Sequence, residues 1–436
     1  MNVNGGDTAW VLVSCALVIL MLPALALFYG GLVRGKNLLN TWMMSLAMLG
    51  LVGVQWVLFG YGTTFGPGGS LWGSLSWAGL RSVGLTPHAG YGDTIPHLLF
   101  AAFQGIFALL TIALVSGAVV ERMRFRAWLV FALLWTTFIY DPLARWVWAE
   151  GGWLRNLGAL DFAGGLVVHV SAGTSALVAA AFLGPRREGT MPHSVPMSLL
   201  GGGLVAVGWC GFNAGSALAA NGVAALALVN TFAGGAAGML LWMLLELALA
   251  GEATALGAVT GLVIGLVAVT PAAGYVTPLA ALAIGCLGGC ASFGALRLRL
   301  RTKVDDALDV FACHGVAGIV GALLTGVFAT TALNPGGADG LLAGRPALVG
   351  IQGLSILVAL GFSALGTAGL LGLMSLVMPL RVELGEEMAG LDQTEHGQLA
   401  YPGGGGEGGF TPLAEGVLLP LEEYAVPRDP LGRPLV

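Results

Sequence analysis

The chain has 436 residues, of which 56% are hydrophobic and only 9% charged, with a formal net charge of −5. Soluble domains carry about 25% charged residues, so this composition excludes a water-soluble globular protein and defines a polytopic membrane protein. Glycine, at 71 residues, is about twice its usual share. In lipid such small residues let helix backbones approach closely, so the chain reads as a tightly packed helical bundle.

The first apolar run, from Ala9 to Val33, has no positive segment before it and is too long for the core of a signal peptide. It reads as a true span with an uncleaved N-terminus. Apolar runs divide the chain into eleven spans: 9–33, 38–62, 96–120, 127–147, 161–183, 196–218, 223–250, 255–271, 277–296, 306–331 and 346–379. Loops after odd-numbered spans hold eleven Lys and Arg residues, against four (Arg81, Arg145, Arg155 and Arg345) after even-numbered ones. Positive charge stays inside, which places the N-terminus outside and the tail in the cytoplasm. The segment 63–95 reads as an external loop. The last span, if helical throughout, would reach ~51 Å against a ~30 Å hydrocarbon core, so strong tilt or protrusion is expected. After Arg381 the composition becomes that of a tail, and Gly403–Gly409 with the later prolines reads as flexible.

Span 5 begins D-F-A-G-G-L-V-V-H, with His169 eight residues after Asp161. Taken as continuous helix, that spacing puts the imidazole ~12 Å along, near mid-bilayer. Span 10 repeats the spacing in D-A-L-D-V-F-A-C-H, from Asp306 to His314. Spans 1–5 and 6–10 each cross an odd number of times, so the halves are inverted copies, an architecture that places a site at the midplane. An ionisable residue deep in lipid is a functional candidate. The bland alternative is two unrelated histidines bonded to backbone carbonyls. Asp161 and Asp306 have a structural reading as helix N-caps beside a reading as direct substrate contacts.

Aromatic residues gather in the half of the chain that the topology places outside. Phe103 and Phe107 lie one turn apart in span 3, Trp148 follows span 4, and W-C-G-F-N-A-G-S in span 6 supplies Trp209, Phe212 and Ser216. Aromatic faces attract cations and a serine oxygen accepts a hydrogen bond; the competing reading is an interfacial aromatic belt. The five cysteines all lie in apolar segments. Cys286 and Cys290 are one turn apart, but no further Cys or His completes a tetrahedral set, so they read as packing and no metal or cofactor is expected. No Walker loop, dinucleotide fingerprint or nucleophile–base set is present, and the basic residues read as scattered loop charges. Enzymatic catalysis, nucleic-acid binding and ATP-driven transport therefore draw no support.

At these residues the sequence resembles the ammonium transporter (Amt/MEP/Rh) family, over nearly all of 9–401. The matching motifs are A-L-F-Y-G-G-L-V-R-G-K-N, the stretch opening D-F-A-G-G at Asp161, G-F-N-A-G-S, D-V-F-A-C-H-G-V-A-G-I-V-G and G-L-D-Q-T-E-H-G-Q-L-A-Y. The resemblance implies an all-α fold of eleven spans, as two inverted five-helix repeats plus a long eleventh helix. It implies a transmembrane domain at 1–380, a cytoplasmic tail at 381–436, and a homotrimer in the cell membrane with one pore per subunit. It further implies an ammonium-binding site at Phe103, Phe107, Trp148 and Ser216, a gate of Phe107 and Phe212, and a twin-histidine pore of His169 and His314. Asp161, Asp306 and Trp209 are structural supports in this reading. The expected partners are ammonium or ammonia, membrane lipid and, through the tail, a PII-type signal protein. An ammonium sensor acting through that tail is the alternative. Glu150, just past Trp148, and the extension beyond Tyr401 depart from the family pattern.

Overall fold

Five of the helices begin where the sequence supplies a side-chain acceptor for their first N–H groups. Asn4 caps α1 (Gly5–Leu32), Ser194 caps α6 (Val195–Gly215), Asn221 caps α7 (Gly222–Ala250), Thr254 caps α8 (Ala255–Val269) and Thr277 caps α9 (Pro278–Arg299). The remaining apolar helices of this computed structural model are α2 (Gly35–Phe65), α3 (His97–Val119), α4 (125–148), α5 (Gly165–Leu183), α10 (Phe311–Phe328) and α11 (Ala347–Ser375). The structure describes residues 2–189 and 191–401. Within them, ten helices are long and apolar enough to cross a membrane, and α8 is shorter but equally apolar. The chain is a multi-pass membrane protein.

Without a hydrophobic drive between helices in lipid, close contact must come from shape. Gly201, Gly208, Gly211 and Gly215 form a stripe along α6, and a methyl group on any of them would overlap Phe28, Met21, Leu17 or Ser14 of α1. Gly173 of α5 meets the backbone of Gly315 in α10 in the same way, and Gly238 of α7 meets Gly261 and Gly265 of α8. First helix thus pairs with first helix of the two halves, and last with last. The last pair runs in opposite directions. The start of α5 is near Pro271, through the Phe162 N–H to Pro271 carbonyl bond of 3.1 Å, whereas the chain entering α10 bonds at Ala307 to Ala118, at the far end of α3.

One end of the bundle carries the N-terminus and the loops at 63–95, 149–160 and 330–345; the other carries the basic loops. The loop charges at that second end are not scattered. Glu121 is fully buried and accepts from Arg34 (2.9 Å), Asn37 (2.9 Å) and Arg186 (2.9 Å), while Arg186 also forks onto Asp305. The sequence reading missed this because the partners come from four separate loops. Residues just past Arg381 join the same network. Two short helices, α12 (Leu384–Ala389) and α13 (Leu391–His396), pack there, with Glu386 on Arg124 (2.9 Å), Glu387 on Arg381 (2.8 Å) and Asp392 accepting from the Asn40 N–H (2.8 Å). One compact unit runs to Ala400. The glycine-rich stretch expected to be flexible lies outside the described residues.

Two expectations change. The eleventh helix has 29 residues, or ~44 Å, because the chain turns at both ends. Asp161 and Asp306 do not open their helices, which start at Gly165 and Phe311. The ~12 Å depth reckoned from continuous helix therefore fails. His169 lies in the first turn and a half of α5, and His314 in the first turn of α10. Both begin with a π-helical turn, at Gly165–Val170 and Phe311–Val316, a wide turn found often at functional sites.

Candidate functional site

Asp161 shows how the local sequence builds the site. Gly164 takes a left-handed conformation (φ 117°) that is open to glycine at no steric cost. That turn folds the chain back so the Asp161 carboxylate reaches past it. It accepts from the N–H groups of Gly164 (2.9 Å), Gly165 (2.6 Å), Leu166 (2.8 Å) and Val167 (3.1 Å). Four otherwise orphaned donors of a helix start are satisfied by one side chain. The Asp161 carbonyl also accepts from the Trp148 ring N–H at 2.9 Å. Asp306 is built alike, accepting from the Phe311 N–H at 2.7 Å, after a turn at Asp309 with φ 56°.

A vestibule of about 640 Å³ opens at the N-terminal end of the bundle, lined by Phe107, Trp148, Asp161, Ser216, Gln104, Tyr275, Arg155 and Arg345 among others. Trp148 stands edge-on to Phe107 (6.1 Å between centroids, 85°), and Phe103 packs on Phe107 at 5.0 Å. Ser216 donates its hydroxyl hydrogen to the Phe212 carbonyl at 2.8 Å. With the donor spent, the serine oxygen has lone pairs left for an arriving N–H. Aromatic face and oxygen together suit a small cation.

Phe107 and Phe212 are stacked, 4.2 Å between centroids and 24° apart, and both are buried. Phe107 lines the vestibule, and Phe212 lines a cavity of about 20 Å³ beyond it. That cavity is walled by apolar residues (Met21, Leu25, Phe28, Leu110, Leu114, Val205 and Val263) together with Trp209, His169 and His314. The Trp209 ring N–H is spent on Thr270 (2.9 Å), and its face stacks on His169 at 5.4 Å. The two imidazoles meet Nδ1 to Nδ1 at 3.3 Å. Such a contact needs one Nδ1–H and one lone pair. A neutral pair therefore offers one Nε2 acceptor and one Nε2–H donor.

All the residues singled out in the sequence around the aromatic cluster and the histidines are thus brought together along one line: Trp148 and Ser216, the stacked Phe107 and Phe212, then His169 and His314. Asp306 lies apart from that line, in the turn before the start of α10. The sequence reading missed the apolar wall, since Leu110 or Val263 carries no signal that separates a path from packing. It also missed Arg155, whose guanidinium holds the Trp148 carbonyl at 2.7 Å; its place just after the Trp148 loop was the available clue.

A vestibule with an aromatic floor, closed by stacked rings from a small apolar cavity with paired imidazoles, fits a membrane transport protein for a small polar solute. The profile of the Ammonium Transporter Family matches residues 9–401, and the chain belongs to that family. It is 49% identical over 399 residues to the ammonium transporter of Bacillus subtilis (strain 168), covering 91% of this chain and 98% of the relative. Among solved structures, Mep2 of Saccharomyces cerevisiae is similar with a TM-score of 0.82 and 34% identity, over 88% of this chain and 89% of Mep2. A sensor Amt protein is similar with a TM-score of 0.81 and 28% identity, over 90% of this chain and 98% of that one.

Proposed function

We propose that the protein carries ammonium across the cell membrane by recruiting the cation in the vestibule, removing its proton near the phenyl pair and passing ammonia along the histidines. The observation that carries this is the stacked Phe107–Phe212 pair, which stands between the vestibule and a small apolar cavity at the histidines. A permanent charge crossing such a stretch meets a penalty of several kcal/mol, while neutral ammonia does not. The histidine pair gives ammonia an acceptor and a donor in line, and it offers the left-behind proton a separate route, making net transport electrogenic. Trp148, Phe107, Phe103 and Ser216 form the recruitment site in this reading, and Asp161 supports it from behind. The vestibule faces the outside, in keeping with the charge bias of the loops, and the working form is a homotrimer with a path through each subunit.

The test is ammonium-driven current and ammonium uptake in proteoliposomes. Saturable flux that carries charge is the expected result. The likeness to a sensor Amt protein favours a second reading, in which binding is reported through the tail to a PII-type partner. Saturable ammonium binding without measurable flux would establish that reading and overturn transport.

A further inference from the structure

Glu150 follows Trp148 by two residues and is exposed. Its backbone N–H donates to the Tyr91 hydroxyl at 3.1 Å, and Tyr91 in turn donates to the Phe65 carbonyl at 2.8 Å. The anchor is therefore firm, since Tyr91 is 3% exposed. The Glu150 side chain lies over Gly90, where φ is 89° and any methyl group would overlap the carboxylate. Gly90 and Tyr91 are both wall residues of the vestibule. A tyrosine hydroxyl thus holds the Glu150 backbone, and a bare glycine leaves room for its carboxylate, at the vestibule rim.

The neighbouring charges make its sign matter. Arg155 and Arg345 line the vestibule, which is otherwise unfavourable for a cation. Arg345 stands near Asp339, but Arg155 spends its guanidinium on a neutral carbonyl, that of Trp148. Arg145 also lies close, with its guanidinium on the carbonyls of Thr64, Gly66, Gly68 and Gly69. The Asp161 carboxylate faces four backbone N–H groups rather than the solvent.

We infer that Glu150 is the cation-gathering charge of the vestibule: it offsets the rim arginines and raises the local concentration of ammonium before the ion reaches Trp148. The inference rests on reading the vestibule as the mouth for the cation. A single rim charge in water works at long range, changes occupancy by about two- to fourfold, and is screened by salt.

The experiment measures the half-saturation concentration for ammonium transport in proteoliposomes at ionic strengths of about 10 mM and about 1 M, where the screening length falls from ~30 to ~3 Å. For Glu150→Gln we expect a two- to fourfold rise at low salt that vanishes at high salt, a larger rise for Glu150→Lys, and recovery in Glu150→Asp. The change belongs to half-saturation rather than to maximal flux. Asp93→Asn, which removes an exposed acid from the loop that holds Gly90 and Tyr91, should follow the wild type. An identical salt dependence in Glu150→Gln and wild type would overturn the inference, and so would an equal shift in Asp93→Asn. Failure of the recruitment site itself shows differently, as no change in Trp148→Leu at either salt concentration.

Discussion

Trp148 is pinned at two points, by its ring N–H to the Asp161 carbonyl and by its own carbonyl to Arg155. Its ring is thus held against the vestibule, so a cation bound on its face would lose little to ordering. A cation–π contact of this kind contributes ~0.5–2 kcal/mol, so Trp148→Leu should raise the half-saturation concentration for ammonium by about two- to thirtyfold. The ring sits at the mouth, so folding should survive, as circular dichroism of the purified variant would show. Unaltered half-saturation would remove Trp148 from the recruitment site. His169 and His314 were visible in the sequence as a repeated spacing, and their contact in the structure follows from where α5 and α10 cross at Gly173 and Gly315. What spacing could not supply is the stack of Trp209 on His169. That depends on the approach of α6, and nothing local to either residue encodes it.

At the scale of elements, the glycine stripe of α6 sets how close α1 can come. Gly201 faces the Phe28 backbone, whereas Gly203 faces open space. Adding a methyl group in a filled seam costs about 1–3 kcal/mol, so Gly201→Ala should lower the melting temperature in detergent while Gly203→Ala leaves it unchanged or raises it. Equal effects from the two would show that the seam does not control packing. Span count and composition were legible because apolar length is written in the chain. The starts of α5 and α10 were not, since an acid before an apolar run reads as an N-cap. Here the Asp161 carboxylate reaches over a glycine turn to a helix that begins later. The ionic network at the opposite end makes a pH prediction. Burial works to raise the Asp305 carboxyl, but the Arg186 guanidinium and backbone N–H outweigh it and hold it at about 2; Glu121, despite burial, is also lowered by Arg34, Asn37 and Arg186. A depressed carboxyl stabilises the fold above its unfolded pKa of about 4 and loses that contribution as pH falls through the folded value. Thermal stability should therefore fall from about pH 4 toward 2, and Asp305→Asn should be less stable at pH 7 with a flatter acid limb. A steep acid limb retained in that variant would assign the loss to other groups.

The whole molecule joins two halves along the helix pairs α1–α6 and α5–α10, and the tail segment up to Ala400 packs as part of the same unit. Every tail contact described above is made before Tyr401, so truncation after that residue should leave the melting temperature and the elution volume per protomer unchanged. Truncation after Arg381 removes Glu386, Glu387 and Asp392 from the basic loops and should lower the melting temperature; the opposite order would misplace the boundary. The two halves meet at the paired imidazoles, one histidine from each. Potassium and ammonium are both compact monovalent cations, and only ammonium can shed a proton and cross an apolar passage as a neutral molecule. A carboxylate in place of an imidazole would attract a charged ion directly and draw water inward. The most direct measurement is potassium current beside ammonium current in liposomes holding wild type, His169→Asp or His314→Glu. Wild type should conduct ammonium and exclude potassium, while the variants should admit potassium. Folded variants that still conduct ammonium and still exclude potassium would contradict this.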